Sequence, residues 1–172
     1  MTYNTFIMAT VLGIALVACV TDARTRRIPN ALTFGAALAG LLVQPLMLGT
    51  DGALLAASGW LVGLLVFLPF FALGGMGGGD VQLLAALGAW LGPRETLWLA
   101  AYSGVAGGVM GLVVAFSKGY LRTALSNVFA MLGYWHTVGF KPVPDLTLDT
   151  AKTPRLAYAF PIFVGIVVTL WK

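Results

Sequence analysis

"FALGGMGGGDVQLLAALGAWLG", Phe71 to Gly92, decides how this chain is built. Three consecutive glycines, Gly77, Gly78 and Gly79, run into a carboxylate, Asp80, and an apolar run follows at once. Glycine permits strained or left-handed turns and close approach of backbone to a partner. Asp favours helix starts, so the pattern predicts a helix opening at Asp80 with its side chain aimed inward. Val81 to Leu91 is 11 residues, roughly 16 Å of helix at about 1.5 Å per residue. The hydrocarbon core of a bilayer is about 30 Å thick. Such a helix either starts below the membrane surface or has neighbours that thin the bilayer. In the first case the glycines are irregular backbone at membrane depth, which persists only when buried in protein or lining a wet cavity. An ionisable group there is a functional-site candidate.

The rest of the chain supports a lipid environment. Of its 172 residues 59% are hydrophobic and 9% charged, against about 25% charged in soluble domains. Mean hydropathy is +0.93, so the charged residues cannot coat a water-exposed surface. The sequence therefore reads as one polytopic all-α membrane domain over residues 1–172. One cysteine, Cys19, excludes an internal disulfide and a cysteine-based zinc site, and no metal or cofactor is expected. The net charge of +4 does not suggest nucleic acid. The glycine cluster is not a phosphate loop, since no Gly-Lys-Ser/Thr follows it.

Six spans are expected, because the apolar runs are continuous rather than alternating. They are Thr5–Thr21, Ala31–Leu48, Ala53–Leu73, two helices within Val81–Phe116 divided by Gly92-Pro93-Arg94-Glu95, and Leu156–Trp171. Connections one, three and five then share a face. They carry Arg24, Arg26, Arg27, Lys118, Arg122, Lys141, Lys152 and Arg155, whereas Arg94 and Lys172 fall on the other side. The basic side is expected to be cytoplasmic, with both termini outside. The one long connection, 117–155, opens with "YLRTALSNVFAML", in which Leu121, Leu125, Val128, Phe129 and Leu132 recur at helical spacing. That predicts an interfacial helix; the following "KPVPDLTLDTAKTPR" reads as a polar loop. Small residues at four-residue spacing (Gly59 and Gly63, Gly104 and Gly108, Gly107 and Gly111) suggest closely packed helix backbones.

Six acidic residues remain to be explained. Asp51, Glu95, Asp145 and Asp149 fall in turns or in the polar loop, where solvation suffices. Asp22 and Asp80 each lie at the edge of an apolar helix. Two spans separate them, so the chain returns to the same face and the two can meet. Each has a plainer explanation: Asp80 as a helix cap, Asp22 as a partner of Arg24, Arg26 or Arg27. Asn30, after Pro29, reads as the cap of the second helix, and His136 as a structural or surface residue. Two adjacent carboxylates share one proton. The ionised member can activate water while the protonated member polarises a peptide carbonyl. That is aspartic proteolysis, and it needs no nucleophilic side chain or metal. The rival reading is a small proton-coupled carrier or channel that uses the same two carboxylates; a third is an assembly scaffold.

"DARTRRIPN" (Asp22 to Asn30) resembles the first aspartate motif of the type IV prepilin peptidases. "GGMGGGDVQLLAALGAWLG" (Gly74 to Gly92) resembles their Gly-x-Gly-Asp motif and the helix after it, and "YAFPIFVG" (Tyr158 to Gly165) their last span. The resemblance implies a six-span intramembrane aspartic peptidase. It would cut the basic leader from prepilins or pseudopilins at the cytoplasmic face of the bacterial inner membrane, with Asp22 and Asp80 as the catalytic pair. Gly77 to Gly79 would admit the substrate backbone, and the substrate's apolar helix would dock among the spans. Arg24, Arg26 and Arg27 would fix orientation and bind anionic lipid. The chain has no cysteine-bearing insertion between its first two spans. In that it looks like the short peptidases of tight-adherence (Flp-type) pilus systems, which implies cleavage without N-methylation. It departs from the common family pattern at Gln82, where Lys is frequent.

Overall fold

The computed structural model describes residues 5–139, 141, 143 and 157–171. Among these there are six helices and no strand: α1 (Thr5–Thr25), α2 (Asn30–Ala72), α3 (Gly78–Leu91), α4 (Pro93–Ser117), α5 (Leu121–Val138) and α6 (Ala159–Trp171). α1, α2 and α4 are long and apolar enough to cross a membrane; α6 is a shorter apolar helix. The polar loop expected over 141–155 lies almost wholly outside the described residues, as do Asp145 and Asp149.

α2 is two arms, not one rod. At Gly49 the backbone leaves the helix, with φ 63° and ψ −139°, a conformation open essentially to glycine. The chain reverses there: a Cβ on Gly52 would run into the carbonyl of Gln44, a residue of the preceding arm. The arms, 30–48 and 50–72, are the expected second and third apolar runs. The second arm ends in a left-handed cap. Gly74 has φ 73°, its amide donates to the Phe71 carbonyl, and the Gly75 amide donates to that of Phe70, the Schellman pattern. At the Gly92-Pro93 break Gly92 has φ 82° and Pro93 opens α4, where its missing N–H costs nothing.

α3 is apolar on all sides, and every residue from Leu83 to Leu91 is buried. An all-round apolar helix belongs at the centre of a bundle, and both arms of α2 enclose this one. The second arm meets it backbone to backbone: a Cβ on Gly59 would strike the Gly88 carbonyl, and one on Gly63 would lie 2.7 Å from Ala85 Cα. The first arm meets it through Ala36, Ala37 and Gly40. Two buried hydrogen bonds fix the register. Trp90 Nε1 donates to the Ala36 carbonyl at 2.8 Å, and Gln44 Nε2 donates to the Trp90 carbonyl at 2.6 Å. Trp90→Phe removes the first bond and some packing volume; a loss of about 1–2 kcal/mol is expected in reversible unfolding in detergent micelles.

α6 packs on α4 and α1. Gly165 lies against Ser103, and Gly107 against the Tyr158 ring. The other expected close-packing pair behaves differently. A Cβ on Gly104 or Gly108 would meet nothing within 4 Å, because these glycines point off the face of α4 that α6 occupies. α5 touches only α4 among the described helices and buries none of its residues. Its apolar positions Leu125, Val128, Phe129 and Leu132 are all exposed.

Candidate functional site

Three chain segments wall one cavity of about 280 Å³: the end of α1 with the turn after it, the first residue of α2, and the glycine stretch that opens α3. Its walls are Asp22, Arg26, Arg27, Ile28, Asn30, Gly77, Gly78, Gly79 and Asp80. The two carboxylates singled out from sequence therefore share one chamber, within electrostatic reach of each other.

Asp22 sits on the last turn of α1 and is only 7% exposed. Its main-chain carbonyl accepts the Arg26 amide at 2.8 Å. Arg26 has φ 55°, so it closes α1 with a left-handed cap that glycine usually makes. The side-chain Oδ2 of Asp22 accepts the Ala159 amide at 3.2 Å. Asp22 is thus tied at one end to its own helix terminus and at the other to the start of α6.

Asp80 lies in the first turn of α3 and is half-buried. It does not cap the helix, contrary to the plain expectation. Gly77 occupies that position, no side-chain cap bond is made, and the helix begins two residues earlier, at Gly78. The glycines act by closeness rather than by unusual torsion. Gly77 has an ordinary extended φ of −77°, and the left-handed turn of this stretch falls at Gly74. A Cβ on Gly77 would sit 3.0 Å from Asp80 Oδ2, and one on Gly79 would sit 3.2 Å from Ile28 Cβ. Bare backbone is what lets the α2–α3 connection lie against both Asp80 and the turn after α1.

The remaining expected site residues divide. Arg26, Arg27 and Asn30 line the cavity; Arg24, Pro29 and Gln82 do not. Asn30 is the first residue of α2 rather than its cap, which is Pro29. Gln82 Oε1 accepts the Thr33 hydroxyl at 3.0 Å, tying the start of α3 to the start of α2. Where a lysine would bring a charge near Asp80, this chain has a neutral strut. Cys19 is a free, half-buried thiol. Among the described residues no three His, Cys, Asp or Glu side chains cluster as metal ligands. The part of the site that sequence alone did not reveal is the α6 N-terminus. "YAFPIFVG" marks a span, but only the fold shows that its first amide meets Asp22.

Fold and site define a class: an all-helical transmembrane protein that encloses a pair of aspartates at the ends of its helices. The comparisons are specific. The model of the type IV leader peptidase family matches residues 9–112, a stretch that contains both aspartates, and the chain belongs to that family. Among similar proteins are three described as prepilin leader peptidase/N-methyltransferase. That of Xanthomonas campestris pv. campestris is 36% identical over 104 residues, 57% of this chain and 36% of the relative. That of Burkholderia pseudomallei is 37% identical over 109 residues, 59% of this chain and 34% of the relative. That of Legionella pneumophila is 34% identical over 133 residues, 63% of this chain and 46% of the relative. The aligned parts thus span about a third to a half of the length of these relatives. No solved structure matches the chain significantly.

Proposed function

We propose that this protein is an intramembrane aspartic endopeptidase that removes the basic leader from prepilins or pseudopilins. The observation that carries the reading is the meeting of Asp22, from α1, and Asp80, from α3, on the wall of one cavity. With one proton between them, the ionised carboxylate takes a proton from water as its oxygen bonds to the scissile carbonyl carbon. The protonated carboxyl gives its proton to the carbonyl oxygen, forming a tetrahedral diol. The C–N bond then breaks. The leaving nitrogen takes the proton removed from water, one diol hydroxyl returns its proton to the other carboxylate, and the pair is restored.

In this reading the two arms of α2, with α1, α3, α4 and α6, make six spans in a single domain over residues 1–172. At 14 and 13 residues, α3 and α6 are each roughly 20 Å long. α3 begins at the cavity and α6 begins at the Asp22 carboxylate, so the catalytic pair lies below the level of a full-length span. The side carrying Arg24, Arg26 and Arg27 is the cytoplasmic side of the inner membrane. α5 lies in that interface, within the 117–155 connection. The short connection between α1 and α2 favours cleavage without N-methylation.

The test is co-expression with a candidate prepilin and mass analysis of the product. The leader should be lost with the intact protein and retained with Asp22→Asn or Asp80→Asn. Normal processing by either single variant would remove the basis of the assignment. A carrier would leave the leader in place and dissipate a proton gradient in vesicles.

A further inference from the structure

We infer that the apolar groove between the second arm of α2 and α4 seats the substrate's own apolar segment, directly beyond the bond to be cut. The inference rests on the peptidase reading and adds to it the face by which the substrate enters from the bilayer.

The groove is a separate cavity of about 440 Å³. Phe67, Met76 and Ala100 make its buried floor, and Phe70 and Leu97, each half exposed, stand at its rims. It adjoins the aspartate cavity through chain neighbours on two sides. Met76 lines the groove, and the next residue, Gly77, lines the aspartate cavity. Tyr158 lines the groove, and the next residue, Ala159, donates its amide to Asp22 Oδ2 at 3.2 Å. Tyr158 also stands within electrostatic reach of Asp80, and its ring meets Phe67 edge-on, with centroids 6.0 Å apart.

The direction of the groove suits a substrate helix. Tyr158 lies against Gly107, so the Gly104 end of the groove is the end next to the aspartates. From there the lining follows α4 back to Leu97, roughly 10 Å along the helix. That is towards the Gly92-Pro93 break and away from Arg26 and Arg27. A chain whose basic leader stays on the arginine side, and whose scissile bond lies at the aspartates, leads its apolar part this way. α4 also leaves room for it. Ala100, Ala101 and Gly104 line the groove, and a Cβ on Gly104 would meet nothing within 4 Å. Small residues let another helix come close in lipid, where packing holds helices together. A further apolar groove lies between α4 and α6, lined by Val105, Val109 and Val164 among others. It contains neither Met76 nor Tyr158, so it has the same apolar chemistry without that double junction.

The full chain with Asp80→Asn, which leaves the substrate uncut, is co-expressed with a prepilin and carries p-benzoylphenylalanine in place of Leu97 or Val109. Under ultraviolet light the probe at Leu97 is expected to join the prepilin's apolar segment, within roughly three helical turns after the cleavage site. The probe at Val109, on the other groove, is expected to join lipid. In the otherwise unaltered protein, Gly104→Trp fills the groove and is expected to lower kcat/KM for the prepilin by about tenfold or more, chiefly through KM. Gly108→Trp is the control. Gly108 too has nothing within 4 Å of an added Cβ, but it does not line the groove, and its variant is expected to stay within about twofold of the parent. Adducts from Leu97 to lipid alone, or to prepilin from Val109 alone, overturn the assignment of the groove. Unchanged kinetics in Gly104→Trp, or equal losses in both tryptophan variants, overturn it as well. Cleavage by Asp22→Asn or Asp80→Asn would instead overturn the peptidase reading, whatever the adducts show.

Discussion

Asp22→Asn and Asp80→Asn are each expected to lower leader cleavage by about 10³-fold or more, with the double variant no slower than either single one. Asparagine has nearly the shape of aspartate but neither takes the proton from water nor gives one to a carbonyl at neutral pH. In the proposed mechanism each carboxyl completes the other's proton cycle, so losing one disables both, and the second substitution finds nothing left to remove. The fold should survive. In Asp22→Asn the side-chain amide oxygen still accepts the Ala159 amide, and Asp80 is not the cap of α3. Single-turnover conversion of a prepilin in native membranes, quantified by mass, measures the effect. Losses that multiply in the double variant would mean that the two residues act separately.

Much of this arrangement was legible in the sequence, and the reasons are local. Continuous apolar runs gave the helices, and Gly92-Pro93 gave the break between α3 and α4. Two apolar runs separate Asp22 from Asp80 in the sequence, and the two residues line one cavity. The division of α2 was marked as well: Gly49-Thr50-Asp51-Gly52 separates the second and third apolar runs, and the backbone leaves the helix at Gly49. What local sequence does not carry is tertiary approach. Nothing in "YAFPIFVG" says that an amide 137 residues away will seize Asp22. Nor does four-residue glycine spacing tell which pairs face a neighbour: Gly59 and Gly63 do, Gly104 and Gly108 do not. The glycines before Asp80 pointed to unusual torsions, yet their use lies in closeness to the carboxylate.

Gly88→Ala is expected to destabilise the protein by about 1–3 kcal/mol, whereas Gly104→Ala changes stability by less than about 0.5 kcal/mol. Both add one methyl to an apolar helix of the same chain, so composition predicts no difference. Geometry does. The new carbon at Gly88 would run into the Gly59 carbonyl and lie 3.0 Å from Thr96 Oγ1; at Gly104 it would meet nothing within 4 Å. Backbone cannot swing aside as a side chain can, so α3 must move off the second arm of α2. Gly59→Ala meets the same wall from the other side, since its methyl would press on the Gly88 carbonyl. Once one methyl has separated the helices, the second costs less than it would alone, and the pair should be sub-additive. Reversible unfolding in mixed micelles measures all four proteins. The separation reaches the site as well. Asp80 lies two turns before Gly88, roughly 12 Å along the same helix, while Asp22 is held independently by α1 and α6. A displaced α3 therefore carries one carboxylate away from a stationary partner. Gly88→Ala should lose cleavage even at temperatures where it stays folded, and Gly104→Ala should not. Equal stability losses at the two positions would show that α2 and α3 do not meet backbone to backbone.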